Sequence, residues 1–232
     1  VKRLVIAIDG PSGAGKSSVG RRLAQQLGYV FLDTGAMYRA LALKALRGGV
    51  SLDSGAELAE LLDATRIELE PAAVRLDGED VSAAIRAPQI SVGASRVSVH
   101  SEVRRRMVAQ QRAMARAGGV VMDGRDIGTR VFPDADLKLY VDAHPRRRAE
   151  RRCQELRAAG NPADLDQVER EVRERDHADA TRADSPLLRA QDAVLVDTTD
   201  LGPDEVLTVL LREVDRVLAA GARLDDPRSD PR

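Results

Sequence analysis

Lysine is scarce in this 232-residue chain. Lys2, Lys16, Lys44 and Lys138 are its four lysines, so 32 of the 36 basic residues are arginine. Cysteine is scarcer still. Cys153 stands alone, which excludes an internal disulfide framework and a cysteine-rich zinc centre and fits a reducing, cytoplasmic setting. Tryptophan is absent and aromatics reach only 2%. Aliphatic side chains must therefore fill the core, and the stacking platforms of a single-strand nucleic-acid binder are missing. No apolar run approaches the roughly 18 residues of a membrane helix. Leu4–Ile8 is too short for a signal peptide and leads straight into a glycine-rich segment, so it reads as folded protein. Nor is there an excess of either charge: 36 basic residues face 37 acidic ones, for a net charge of -1. That balance argues against a polyanionic or membrane partner. His100, His144 and His177 are too scattered to form a metal site and read as surface or packing residues.

What is present is the composition of a soluble globular protein, 43% hydrophobic and 31% charged. There is no internal repeat. Short aliphatic runs at Leu4–Asp9, Tyr29–Leu32, Val120–Met122, Leu137–Val141 and Ala193–Val196 read as strands. Helical patterns such as Ser17–Leu27 and Ala36–Leu46 separate them. That alternation predicts an α/β fold with a five-stranded parallel sheet covered by helices on both faces. Two stretches break the rhythm. Arg66–Leu69, Val74–Leu76 and the turn Asp77-Gly78 predict a small antiparallel element within an insert at 35–115. Arginine-rich helices over 146–189, divided by Gly160-Asn161-Pro162, predict a short helical lid. The core then comprises 1–34, 116–145 and 190–220 of one domain spanning 1–220, with 221–232 as a disordered tail.

Gly10-Pro11-Ser12-Gly13-Ala14-Gly15-Lys16-Ser17 matches G-x-x-x-x-G-K-S/T in full, between a strand and a helix. Glycines let the backbone turn several N–H groups inward, and the helix adds the positive end of its dipole, so the loop cradles a polyphosphate. Gly10 through Ser17, together with Ser18, form the candidate site for a nucleotide's phosphates. Lys16 is a slim point charge suited to the β- and γ-phosphates. Ser17 offers a hydroxyl to Mg²⁺, and Asp123, ending a strand, is the expected second oxygen ligand. Such a loop identifies a nucleotide and leaves the reaction open.

Two segments, 32–39 and 122–129, follow strand C-termini, the edge at which open parallel sheets bind ligands. They carry Arg39 and Arg125, planar forks suited to phosphate. Together, GPSGAGKSS, LDTGAMYRALAL, DGRDIGTRVFPDAD and ERDHADATRADSPL resemble bacterial cytidylate kinase, a family of P-loop nucleoside monophosphate kinases. The likeness runs in order from Val5 to about Leu218. The first motif is generic to P-loop proteins, and the other three are specific to the family.

The resemblance implies a core, a nucleotide-binding insert and a lid, and transfer of the γ-phosphoryl of Mg·ATP to CMP or dCMP. It places the acceptor phosphate near Tyr38, Arg39, Arg125 and Arg182. It places the cytosine near Ser95, Arg104 and Asp126, and the sugar near Arg175 and Asp179. Thr34 stands where many relatives have serine. Lys16, Arg125, Arg175 and Arg182 would carry the transfer. Cytosine offers an amino donor beside two acceptors, groups that an aspartate and an arginine fork can read. Arg104 has Arg105 and Arg106 beside it; all three could be solvated charge, and the resemblance singles out Arg104.

On the lid, Arg175, Asp179 and Arg182 share one helical face. Arg148 and Arg152 stay open between a phosphate contact and surface charge, while Arg146, Arg147 and Arg157 read as surface ion pairs. Cys153 reads as a packing residue, and Asp197–Asp200 is a candidate for the adenine end by location alone. The implied partners are ATP and CMP or dCMP, with no nucleic acid or membrane, acting on a monomer. Two rivals remain: a P-loop kinase for another small acceptor such as UMP or a shikimate-like molecule, and a nucleotide-dependent nucleic-acid-binding protein.

Overall fold

The aliphatic run after Arg3 forms strand β1 (Val5–Asp9), and the glycine-rich segment behind it opens helix α1 (Lys16–Leu27). Strand β2 (Val30–Asp33) turns directly into helix α2 (Thr34–Arg47), because Asp33 caps it by accepting a hydrogen bond from the Ala36 N–H at 2.9 Å. Ser54 caps helix α3 (Gly55–Asp63). Strands β3 (Ile67–Leu69), β4 (Val74–Leu76) and β5 (Glu79–Asp80) follow, then helices α4 (Pro88–Val97) and α5 (Ser101–Met114). Strand β6 (Val120–Gly124) leads through a π-helical turn at Ile127–Val131 to strand β7 (Leu137–Asp142). Helices α6 (Pro145–Ala158) and α7 (Leu165–Thr181) pair off before strand β8 (Val194–Asp197) and helix α8 (Pro203–Leu224). This computed structural model describes residues 3–158 and 160–224.

The main sheet has the order β2-β6-β1-β7-β8 and is parallel throughout, the predicted five-stranded architecture of a P-loop kinase fold. Its central strands, β1 and β6, are buried nearly end to end, as continuous aliphatic runs between two helical layers must be. Register matters for function. Asp9 aligns with Gly124 and Tyr140, and Asp33 aligns with Asp123. The strand ends that carry the motifs therefore emerge side by side at one edge.

The core is aliphatic, as the shortage of aromatics requires. Ile6, Ile8 and Leu23 pack with Leu210 of α8 on one face of the sheet. The insert has its own cluster, built on Met37, Leu41, Leu58, Leu62 and Met107. Each such side chain contributes about 1.5–3 kcal/mol relative to exposure. The α6–α7 pair buries little more than Ala149, Cys153 and Val168, so polar contacts must help to hold it. Cys153 is a packing residue there, as expected.

Three features differ from the sequence reading. The antiparallel element has a third strand, β5, reached through Asp77 and Gly78, both at positive φ (52° and 89°) as a tight hairpin turn requires. Helix α3 was not anticipated. The first four residues assigned to the tail, 221–224, continue α8 to Leu224, and the remainder of that assignment lies outside the described residues. No helix among the described residues is long and apolar enough to cross a membrane.

Candidate functional site

The phosphate loop is fixed by steric necessity. Gly10 has φ 143°, and a Cβ there would lie 1.9 Å from the Val141 carbonyl oxygen. Gly13 has φ 78° and backs onto α6, where a Cβ would meet that of Arg148 at 3.2 Å. Lys16 opens α1 and is buried, its Nζ donating to the Pro11 carbonyl at 2.6 Å. Burial pushes its pKa down, and Arg125 adds to that; Asp123 and Asp9 oppose it. Lys16, Arg125 and Asp123 thus share one electrostatic neighbourhood.

Asp123 and Ser17 meet as expected. The Ser17 hydroxyl donates to Asp123 Oδ2 at 2.5 Å, while Asp123 Oδ1 is buried with no partner. Burial pushes the Asp123 carboxyl up, and Asp33 pushes it further. Two hard oxygens at the loop, one of them unsatisfied, fit Mg²⁺. Among the described residues no cluster of three or more histidine, cysteine or acidic side chains could hold a metal ion. An ion at Ser17 and Asp123 would therefore complete its shell from phosphate and water, as Mg²⁺ does.

A residue the sequence reading passed over organises the neighbouring loop. Asp9, at the end of β1, accepts from the N–H groups of Ile127 (2.8 Å) and Gly128 (2.7 Å). It fixes the start of the π-helical turn, and so the backbone that carries Arg125 and Asp126. Burial raises its pKa to about 6 in spite of those two bonds. The available signal was a carboxylate closing an apolar strand just before the glycine-rich loop.

The predicted acceptor residues converge from α2, α5, the β6 loop and α7. Arg104 and Asp126 form a buried ion pair. The Arg104 guanidinium also donates to the Ser98 carbonyl at 3.2 Å and lies 5.7 Å from the centroid of the Tyr38 ring. Burial raises the Tyr38 pKa to about 12. Arg182 approaches the same knot, 3.9 Å from Asp126 and 3.9 Å from Asp179, and donates to the Ser185 carbonyl at 2.5 Å.

Beside it, Arg125 donates to Asp179 at 2.8 Å, tying the β6 loop to α7. Burial would raise the Asp179 carboxyl, but Arg125 and its neighbours outweigh burial and hold it low. Arg175 feels Arg125, Asp179 and Arg39, and burial brings its pKa down to about 10. Arg39 pairs with Asp33 at 2.8 Å.

Two predicted residues are engaged elsewhere. The Thr34 hydroxyl donates to the Asp123 carbonyl at 2.7 Å, a bond that holds α2 to β6. The Ser95 hydroxyl is turned onto the Ser91 carbonyl of its own helix at 3.4 Å. At the far end of the phosphate loop, Arg151 donates to the carbonyl (2.5 Å) and hydroxyl (3.1 Å) of Thr198, and that hydroxyl meets the Ala14 carbonyl at 3.1 Å. The segment after β8 thus reaches the loop through Thr198. Of the expected surface pairs, Arg146 meets Asp166 and Glu169, and Arg147 meets Glu150, while the exposed Arg157 donates instead to the Ala163 carbonyl at 2.8 Å.

Four buried side-chain polar atoms among the described residues lack a hydrogen-bond partner: Arg104 Nε, Asp123 Oδ1, Arg175 Nε and Arg182 Nη2, the last facing Asp126 only at 3.9 Å. Each leaves a desolvation cost of about 1–3 kcal/mol or more, which a bound group could relieve. All four belong to predicted site residues, drawn from α5, β6 and α7 with its C-cap.

A phosphate loop alone would serve many nucleotide-binding proteins. The second cluster of cations, at the same sheet edge, narrows the class to enzymes that pass a phosphoryl group between two phosphorylated small molecules, the nucleoside monophosphate kinases. The family model for cytidylate kinase matches residues 6–216, and the chain belongs to that family. It is 51% identical over 220 residues to the cytidylate kinase of Symbiobacterium thermophilum, covering 93% of this chain and 97% of that one. It is 50% identical over 215 residues to that of Solibacter usitatus, covering 92% and 93%. Among solved structures it shares its fold with a gluconokinase from Sinorhizobium meliloti (TM-score 0.51, 17% identity, 97% and 99% coverage). It shares it also with a shikimate kinase from Bacteroides thetaiotaomicron (TM-score 0.50, 16% identity, 92% and 99% coverage).

Proposed function

We propose that this enzyme transfers the γ-phosphoryl of ATP to the 5′-phosphate of CMP or dCMP, giving CDP or dCDP and ADP. The observation that carries the reading is the set of four orphaned polar atoms, Arg104 Nε, Asp123 Oδ1, Arg175 Nε and Arg182 Nη2. They mark a donor-side and an acceptor-side demand for ligand within one site.

In this reading the residues from Gly10 to Ser18 cradle the donor phosphates, with Lys16 as their point charge. Ser17 and Asp123 would hold Mg²⁺, which neutralises charge on the β- and γ-phosphates. Arg39, Arg125 and Arg182, with the Tyr38 hydroxyl, bind the acceptor phosphate. An acceptor oxygen forms a bond to the γ-phosphorus as the bond to the ADP oxygen breaks. The protein contributes position and cations rather than proton transfer. Arg175 and Arg182 bring charge from α7, and closure of the α6–α7 pair would exclude water.

Arg104 and Asp126 read the base. Cytosine presents an amino donor where uracil presents an acceptor, so UMP would leave a buried carboxylate facing an oxygen. Ser95 is assigned to cytosine, and Asp179 to the sugar, on the family likeness alone. A monomer in the cytoplasm, with ATP and CMP or dCMP as partners and no nucleic acid, completes the proposal.

The test is coupled ADP release with CMP, dCMP, UMP, AMP, GMP and shikimate as acceptors. Turnover should be greatest with CMP or dCMP. Preference for any other acceptor would overturn the base-reading role of Arg104 and Asp126.

A further inference from the structure

Arg148 and Arg152 lie four residues apart on one helix, yet their surroundings separate them completely. Arg152 is partly buried, pairs with Glu155 at 3.1 Å, and acts on Arg175 by charge alone. Arg148 is 2% exposed. Its Nε donates to the Ala143 carbonyl at 2.8 Å, and its Nη1 donates to the Ser12 carbonyl at 3.1 Å. The same guanidinium grips Asp176 with both ends, Nη1 to Oδ1 at 2.9 Å and Nη2 to Oδ2 at 2.5 Å. One side chain thus touches the corner before α6, the phosphate loop and helix α7. Protein acceptors take its Nε, Nη1 and Nη2, so no pair of N–H groups is left to grip a phosphate.

We propose that the Arg148–Asp176 pair is a positioning element that sets α7 in register with the phosphate loop. Asp176 follows Arg175 directly, and Asp179 and Arg182 come three and six residues later. Because Asp176 and the Ser12 carbonyl accept from one guanidinium, the pair fixes the three lid side chains relative to the donor phosphates. The α6–α7 pair has only a small apolar core of its own, so this ion pair carries an unusual share of that alignment. Gly13 lets α6 sit close enough for the contact. The inference rests on the kinase reading above, because α7 supplies acceptor cations only in that reading.

Asp176 is 25% exposed, so its substitution is milder than that of buried Arg148. Asp176→Asn, Asp176→Ala, Arg148→Met and the double variant Arg148→Met/Asp176→Ala are compared with the wild-type enzyme. The measurements are kcat for CMP phosphorylation, calorimetric affinities for CMP and Mg·ATP, and the thermal melt. Misplacing the lid cations should lower kcat by about 100-fold, while either affinity changes by less than about tenfold. The double variant should fall no lower than the worse single. If Arg148→Met does not fold, the two Asp176 variants decide alone.

Wild-type kcat in folded Asp176 variants would overturn the proposal. So would a loss of affinity matching the loss of kcat, or a double variant whose loss is the product of the singles. Weakened Mg·ATP binding in Arg148→Met, with unaltered Asp176→Ala, would make Arg148 a phosphate ligand instead. A wild-type enzyme inert on CMP would overturn the kinase reading itself, a result separate from all of these.

Discussion

Asp126 stands between two buried cations, and Asp126→Ala should show what that arrangement is worth. The side chains of Arg104, Arg182 and Asp126 are 3%, 6% and 9% exposed. Removing the carboxylate leaves the Arg104 guanidinium with the Ser98 carbonyl and the Tyr38 ring, and Arg182 facing it. Truncating one partner of a buried pair costs about 3–5 kcal/mol, because the remaining charge stays desolvated. For a chain of this length each kcal/mol lowers the melting temperature by about 2–4 °C. The expected drop is therefore about 6–20 °C. Calorimetry suits the measurement, since the chain has no tryptophan to report by fluorescence. The double variant Arg104→Met/Asp126→Ala should melt above the single, as an apolar side chain replaces an orphaned cation. Its kcat/KM for CMP should stay as low, which separates stability from recognition. A single variant melting within about 2 °C of the wild type would refute the reasoning.

Other expectations are simpler. Lys16→Ala should lose about 10²–10³ in kcat, as removal of a preorganised charge does, with CMP affinity by calorimetry unchanged; a parallel loss of CMP affinity would remove Lys16 from the donor side. Gly10→Ala should fail to give a normally melting protein, because its Cβ would overlap the Val141 carbonyl oxygen at 1.9 Å; a wild-type melt would contradict the packing described. The Asp9 carboxyl titrates near 6 when folded, against an ordinary value of 3.8. The folded state then holds its proton more tightly, so this contribution is full below pH 3.8 and is lost as pH rises through about 6. At 1.36 kcal/mol per pKa unit the span is about 3 kcal/mol. Urea titrations from pH 4 to 7 should show wild-type stability declining relative to Asp9→Asn, and parallel pH profiles would count against it.

Much of this was legible in sequence for definite reasons. A phosphate loop needs glycines and one lysine at fixed spacing, so Gly10–Ser17 could be read directly. The parallel strands were legible because a strand buried on both faces must be aliphatic throughout. What escaped depended on partners far along the chain. Arg148 and Arg152 are equivalent by charge and helical phase, and only Asp176, 28 residues on, divides them. Asp9 looked like the end of a strand because its partners, the N–H groups of Ile127 and Gly128, lie more than 100 residues away. Helix α3 did leave a local signal: Ser54 caps it three residues before Glu57. The Thr34 hydroxyl was legible as polar, but its acceptor is a backbone carbonyl of β6, which no sequence motif records.

Three of the arginines assigned to substrate already have company. Asp33 holds Arg39, Asp179 holds Arg125, and Asp126 holds Arg104. Arrival of a nucleotide there is an exchange of anions rather than the filling of a bare cationic hollow. In the proposed reading an acceptor phosphate would take the place of Asp33 on Arg39 and of Asp179 on Arg125, whereas Asp126 would stay beside Arg104 to read the base. Each such carboxylate would compensate its arginine whenever the site is empty, so ligand entry and product exit would each exchange one anion for another instead of stripping a cation bare.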